Sequence, residues 1–420
     1  MSVLWSAYRM FAPALGALAP AARVFTSPNE RPLWGERLGR VNLPGGCAAW
    51  VHAASLGEAV AARPLIAELR ALAPRAPLYL TATTRTGRAR LQGLDAPASL
   101  APIDSPQAVA RFFAGIQPRR VFIVETELWP HWLMQARSAR VPVSIVSARL
   151  SEKSVKSYRR LGGGLRELVA GLSAVLCQGE EDRRRWLAIG AMPERTLVVG
   201  NLKADALPTP APSRPTARVA LGLAPQRPLL VLGSVRPGEV RVLARAWKAL
   251  PESLRNSWQV VAVPRHARAN RDLLEEAGES GIRLARFGRD ADAADRWRWD
   301  DRAGVLNDYY AAADVAFVGG SLLPYGGHNP LEPAACGAAV ITGLHHASQA
   351  DAVGALLMGS AVRVVEDRDG LTEAFSILLG NAEARAAQSA AGVRVVAGLR
   401  GAARRAVQQL AAWRLWPVGT

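Results

Sequence analysis

Two groups of acidic and basic residues carry the chemistry that this sequence could do. The first begins at His52-Ala53-Ala54-Ser55-Leu56-Gly57-Glu58. An apolar run precedes it and a helical pattern follows. Gly57 therefore permits a tight turn at the carboxyl end of a strand, and Glu58 falls in a first helical turn, where backbone dipoles favour a carboxylate. Taken alone, Ser55-x-Gly57-Glu58 reads as a helix start with its capping residues. At the rim of a ligand cleft the same Glu58 would be a general base, taking the proton of a substrate hydroxyl. Downstream, Val124-Glu125-Thr126-Glu127-Leu128-Trp129-Pro130 sets two carboxylates around one threonine just beyond another apolar run. In extended backbone Glu125 and Glu127 share a face, which is costly unless a cation is near. Lys203, in Gly200-Asn201-Leu202-Lys203, lies just before a proline-rich stretch and could reach the cleft, but a lone lysine is otherwise uninformative. Residues 137–166 hold Arg137, Arg140, Arg149, Lys153, Lys156, Arg159, Arg160 and Arg166 against few acids. Such a tract is either a solvated face or a grip for phosphates.

The second group is glycine-rich. Gly233-Ser234, Pro264-Arg265-His266, Gly319-Gly320-Ser321 and Gly326-Gly327-His328-Asn329-Pro330-Leu331-Glu332 each follow or close an apolar run. Bare backbone N–H groups at Gly319-Gly320-Ser321 could approach a phosphate. Glu332, at the start of a helix, could accept hydrogen bonds from ribose hydroxyls. One glycine turn says little, but their convergence at strand ends argues for a nucleotide site. There is no Walker loop, no GxGxxG opening and no Cys/His cluster of metal-ligand spacing.

Short apolar runs alternating with helical stretches must position these residues. The pattern predicts strands at 48–53, 78–83, 121–124, 143–146, 174–177 and 197–199, then at 229–232, 259–263, 314–318, 339–342 and 362–365. Helices are predicted at 58–72 and 183–189, and solvated helix over 382–406. Runs this short and rich in Val, Ile and Leu are the signature of a parallel sheet covered on both faces. Pro208, Pro210, Pro212 and Pro215 predict a hinge at 207–216. The expected architecture is α/β, with two doubly wound Rossmann-like domains, 31–206 and 217–420, facing across a cleft, where ligands usually bind.

The 420 residues include 52 Lys and Arg against 35 Asp and Glu, a formal net charge of +17. That excess points to an acidic partner: a phosphorylated substrate, an anionic membrane surface or nucleic acid. Nucleic acid is disfavoured, because the basic tract lacks interleaved aromatics. Cys47, Cys177 and Cys336 are too few and too scattered for a disulfide framework. Residues 1–30 read as a membrane-associating segment. Their uncharged stretch, interrupted by Pro13 and Pro20, is short for a span. An interfacial anchor would put Trp5, Tyr8, Met10, Phe11 and Leu15 in lipid, with Arg9 and Arg23 near headgroups. A secretory leader or a helix packed on its own domain are the other readings of this segment.

Several runs, in this order, resemble the 3-deoxy-D-manno-octulosonic acid (Kdo) transferases, glycosyltransferases of the GT-B type. They are Trp34-Gly-Glu-Arg-Leu-Gly39, Ser55-Leu-Gly-Glu58, Thr84-Arg-Thr-Gly87, Glu125-Thr-Glu-Leu-Trp-Pro130, Ala148-Arg-Leu-Ser151, Gly200-Asn-Leu-Lys203, Val263-Pro-Arg-His266, Phe317-Val-Gly-Gly-Ser-Leu322 and Gly326-Gly-His-Asn-Pro-Leu-Glu332. The resemblance implies an inverting, metal-independent enzyme with no cofactor. It would move Kdo from CMP-Kdo to the phosphorylated tetraacyldisaccharide precursor of lipid A at the cytoplasmic face of the inner membrane. By motif position it implies Glu58 as base, Glu125 and Lys203 as helpers at the transition state, and CMP held by Pro264, Arg265, Ala303, Gly304, Val305, Asn329, Pro330, Leu331 and Glu332. This chain departs from the family pattern at Ala303-Gly304-Val305, where Met-Gly-Glu is usual, and at Arg236, where a histidine is usual. The alternatives are a related transferase using another activated sugar or lipid acceptor, and a binding homologue without catalysis.

Overall fold

The computed structural model describes residues 30–287 and 296–417, together with residues 5, 6, 8, 10–13 and 28. The chain divides into two compact units, Met1–Ala206 with Leu399–Thr420, and Leu207–Gly398.

The first unit is built on a seven-stranded parallel sheet. Its strands are β1 (Ala49–His52), β2 (Leu78–Ala82), β3 (Ala98–Leu100), β4 (Val121–Val124), β5 (Val143–Ala148), β6 (Ala174–Cys177) and β7 (Thr196–Val198). Their spatial order is β3-β2-β1-β4-β5-β6-β7. Alternation along each strand feeds two cores. Trp50, Ile123, Ile145 and Val175 pack on one face, and Val51, Phe122, Val124, Val146 and Leu176 on the other. With both faces covered, the central strands β1 and β4 read as near-continuous apolar runs.

The second unit repeats the plan with β8 (Leu229–Val235), β9 (Gln259–Pro264), β10 (Leu284–Arg286), β11 (Trp297–Trp299), β12 (Val315–Val318), β13 (Ala339–Gly343) and β14 (Val362–Val365). The order is β10-β11-β9-β8-β12-β13-β14, all parallel. Both units are thus doubly wound: the connections run one way from the first strand and later cross back to its other side. That reversal opens a crevice at the carboxyl ends of β1 and β4 in one unit, and of β8 and β12 in the other.

Three expectations need correction. Strands β3, β10 and β11 carry no sequence signal, because Ala-Ser-Leu, Leu-Ala-Arg and Trp-Arg-Trp are three residues long and two of them hold an arginine. The expected 207–216 hinge gives way to a helix at Arg214–Ala220, capped by Ser213 with Pro215 in its first turn. Proline lacks only an N–H that would be unbonded there anyway. The expected second domain, 217–420, loses its end to the first unit. In the helix Ala402–Ala412, Ala402, Ala403, Ala406, Val407 and Leu410 join the core of Leu65 and Leu69, and the Trp416 indole donates to the Leu69 carbonyl at 3.0 Å.

Much of the expected membrane segment, Leu15, Arg9 and Arg23 included, lies outside the described residues. Trp5 is buried in the first unit's core rather than free for lipid. The Tyr8 hydroxyl bonds to Asp104 and, at 2.8 Å, to His131 Nδ1. Met10 and Phe11 are exposed. Among the described residues no helix is long and apolar enough to cross a membrane.

Candidate active site

In the first unit the residues after β1 and after β4 face the crevice from its two sides. Ser55 caps the helix Leu56–Leu72, its Oγ accepting from the Glu58 N–H at 3.3 Å. Glu58 folds back: Oε1 accepts from Ser55 Oγ at 3.0 Å and Oε2 from the Ala54 N–H at 2.8 Å. This reciprocal cap fixes the carboxylate without exhausting it, because each ionised oxygen has a second lone pair. The cap therefore leaves lone pairs of the Glu58 carboxylate open to a further proton donor. Burial, and then the charge of Glu125, raise the Glu58 pKa above the usual glutamate value; Ser55, Ala54 and Lys203 pull the other way. His52, which opens the same motif, is sealed in the core. Its Nδ1 lies 2.8 Å from Thr81 Oγ1, and burial holds the ring neutral with a pKa of about 3.

Glu125 occupies left-handed backbone, φ +65°. That conformation is uncommon for a residue with a side chain and is a form of strain that collects at functional sites. Its N–H pairs with the Val146 carbonyl at 3.0 Å, and its Oε1 lies 2.5 Å from Lys203 Nζ. The cation that the paired acids require is therefore present. Lys203 sits in the short helix Leu202–Asp205, capped by Asn201, whose Oδ1 accepts from the Lys203 N–H at 2.9 Å. That helix is tethered at both ends. The Leu202 N–H donates to Ser147 Oγ at 3.2 Å, while the Asp205 carboxylate takes the N–H groups of Gly401 and, at 2.6 Å, of Ala403.

Glu127 joins the same cluster. Burial and the nearby Glu58 raise its pKa, and the Trp129 indole N–H bonds to its carboxylate. The sequence pattern singles out Glu127 as Glu125's partner but gives it no role; its coupling to Glu58 is a long-range contact that spacing does not show. Beyond the site, the helix Glu152–Arg160 buries only Val155 and leaves Lys153, Lys156, Arg159 and Arg160 exposed as one basic face.

The second unit holds a cavity of about 580 Å³ at the carboxyl ends of β8 and β9. Pro264, Arg265, Ala303 and Gly304 line it together with Arg268 and Arg302. Arg302 is committed to Asp300 through two bonds of 2.9 and 2.7 Å, and Tyr309 donates to the same carboxylate at 2.7 Å. This bracing fixes the 300–304 turn. Val305 stands just past that turn, as N-cap of the helix Leu306–Ala312, half-buried against its core. Asn329, Pro330, Leu331 and Glu332 do not line the cavity. Asn329 caps the start of the helix Leu331–Ala335 at 3.1 Å, and its Nδ2 lies 3.4 Å from Glu332 Oε1. Burial raises the Glu332 pKa, with Asn329 and the charge of Arg265 opposing. Arg265 is thus the residue that links the two groups.

The phosphate expectation for Gly319-Gly320-Ser321 is overturned. Glu239, fully buried in the first turn of the helix Glu239–Ala249, already accepts from the N–H groups of Gly320 at 2.8 Å, Ser321 at 2.9 Å and Leu322 at 3.0 Å. A fourth bond comes from the Arg236 N–H at 2.9 Å. The donors that a phosphate would need are occupied by the chain's own carboxylate.

Residues 33–206 match the family model described as 3-deoxy-D-manno-octulosonic-acid transferase (kdotransferase). The chain is 36% identical over 399 residues to the 3-deoxy-D-manno-octulosonic acid transferase of Bordetella pertussis, covering 89% of each protein. It is 30% identical over 394 residues to that of Haemophilus influenzae, covering 91% of this chain and 92% of the relative. Its fold, of the GT-B type, is shared with the UDP-GlcNAc 2-epimerase of Neisseria meningitidis at a TM-score of 0.60 and 14% identity, over 87% of this chain and 99% of the other.

Proposed function

The chain belongs to the Kdo transferase family and is a glycosyltransferase, and we propose that it moves Kdo from CMP-Kdo onto a hydroxyl of the phosphorylated acyl-disaccharide precursor of lipid A. In this reading Glu58 takes the proton of the acceptor hydroxyl. The oxygen attacks the anomeric carbon of Kdo from the face opposite the nucleotide, and CMP leaves with the bonding electrons. A raised pKa suits Glu58 to this task, since a base must hold the proton it removes. Lys203, held by Glu125, sets a positive charge near it that limits the rise. In the second unit Arg265 meets the charge that grows on the departing phosphate, and Pro264, Ala303 and Gly304 shape the seat of the nucleotide. We assign the same neighbourhood to Val305 and to Asn329, Pro330, Leu331 and Glu332, the last four through Arg265.

The observation that carries the reading is the fixed carboxylate of Glu58 beside the Glu125–Lys203 pair at the crevice of the first sheet. The net charge of +17 and the exposed basic face at 152–160 support an acceptor with phosphates at an anionic membrane surface, and the exposed Met10 and Phe11 support contact with its apolar layer. Incubation of purified protein with CMP-Kdo and the tetraacyldisaccharide, followed by mass spectrometry of the lipid, tests it. A lipid carrying Kdo is expected from the wild type and not from Glu58→Gln. An unmodified lipid from the wild type would remove this assignment of donor and acceptor.

A further inference from the structure

We propose that Arg236 and His328 form a seat for the carboxylate of the donor sugar, distinct from the place where Arg265 meets the nucleotide phosphate. The proposal rests on the donor reading above.

Three adjacent strands place the groups. Val235 pairs with Pro264 and Gly233 with Val318, so Arg236, Arg265 and the Gly319–Leu322 turn leave the sheet side by side at the ends of β8, β9 and β12. The Arg265 N–H donates to the Val235 carbonyl at 3.1 Å and locks the first two together. The Arg236 backbone is pinned by Glu239, and its guanidinium lies over the Tyr325 ring, 4.7 Å from the centroid. Tyr325 is itself held, donating to the Pro237 carbonyl at 3.2 Å. His328 reaches the same point from the other side. Gly320 has φ +71°, and a Cβ there would stand 3.0 Å from His328 Nε2 and 3.7 Å from Arg236 Cγ. The two side chains thus converge over a position that glycine keeps bare. His328 Nε2 and Arg236 Nε are both buried, and neither makes a hydrogen bond among the described residues.

The electrostatics agree. Burial, then Arg265, Arg236 and His266, lower the His328 pKa to about 4, so the ring is neutral at physiological pH and can donate one N–H. Burial, then Arg236, Arg265 and Arg268, likewise lower the pKa of His266. The main-chain donors that might have neutralised an anion here are spent on Glu239, so side chains must do it.

The chemistry of the donor supplies two anions. A 2-ulosonic acid joined to a nucleotide carries its carboxylate and its phosphate on one anomeric carbon. Neighbouring strands lie about 4.8 Å apart, a spacing on which two arginines can each take one of two anions borne by a single atom. A guanidinium fork matches a carboxylate bidentately.

Isothermal titration of the full chain with CMP, which has only the phosphate, and with CMP-Kdo, which has both anions, tests the seat. We expect Arg236→Ala to weaken CMP-Kdo by roughly 10- to 100-fold and CMP by less than about threefold. Arg236→Gln, which keeps the stem over Tyr325, should do the same and guards against a folding artefact. Arg265→Ala should weaken both ligands. Equal losses for CMP and CMP-Kdo in the Arg236 variants, or no loss for either, would overturn the seat while leaving the donor reading intact. A wild type that binds CMP but not CMP-Kdo would overturn the donor reading and the seat with it.

Discussion

Glu58 and Glu239 occupy equivalent places in the two units. Each follows a glycine, each stands in the first turn of the helix after its unit's first strand, and each faces the turn at the end of the strand across the reversal. Their surroundings make opposite use of them. Opposite Glu239 lies a buried glycine-rich turn with N–H groups not used by the sheet, and the carboxylate binds three of them and is consumed. Opposite Glu58 lies Glu125, whose backbone N–H is already paired in the sheet and whose side chain is given to Lys203. Glu58 is left with a local cap and spare lone pairs. The same Gly-Glu opening therefore yields a structural clamp in one unit and, in the other, a carboxylate free to serve as the proposed base. What decides is whether the facing turn offers donors or a paired charge.

The largest effect should separate the two glutamates. Glu58→Gln should lower kcat by about 10²–10⁴-fold, with thermal unfolding and CMP binding close to wild type. Glu239→Ala should strand several buried N–H groups, each costing about 1–3 kcal/mol unless water reaches it. A stability loss of about 3 kcal/mol or more should appear in denaturant titration, together with lost CMP affinity. If Glu239→Ala unfolded like wild type, the two glutamates would not differ as described.

A smaller effect sharpens the first half of the comparison. The base works ionised, so activity should fall as pH drops through the raised pKa of Glu58. Glu125 raises that pKa and Lys203 lowers it. The acid limb of the kcat/KM profile should therefore move to lower pH in Glu125→Gln and to higher pH in Lys203→Ala. Limbs that moved together, or stayed in place, would show that the three groups do not titrate as a cluster.

Asp205→Ala should have the mildest consequence. It releases the Gly401 and Ala403 N–H groups and loosens the helix that carries Lys203. We expect a few degrees lost from Tm and a severalfold fall in kcat, with KM for the donor unchanged. A changed donor KM would mean that Asp205 acts on the second unit instead.

Both sheets, and eleven of their fourteen strands, were legible because buried parallel strands are written as unbroken apolar runs. In β3, β10 and β11 a serine or an arginine interrupts a run that is only three residues long. Glu58 and Glu125 could be picked out from residue type and position, Lys203 only through its motif's resemblance to a family, and the structure brings Glu125 and Lys203 into contact. The φ of Glu125 leaves no mark in composition. The Gly319-Gly320-Ser321 turn misled for a different reason: a free donor and a donor bonded to a carboxylate about eighty residues earlier have the same local sequence. The prolines at 208–215 likewise signalled a break but not that Pro215, behind a serine cap, would open a helix.

The excursion of the chain through the second unit also constrains how the protein is made. Residues 207–398 are an insertion in the first unit, whose core is closed by the helix Ala402–Ala412. On the ribosome the sheet bearing Glu58 and Glu125 emerges early, yet the brace that holds the lysine helix is translated only after the whole second unit. Until then Leu65 and Leu69 lack their apolar cover, so nascent chains stalled before residue 399 should engage holding chaperones more than completed ones do.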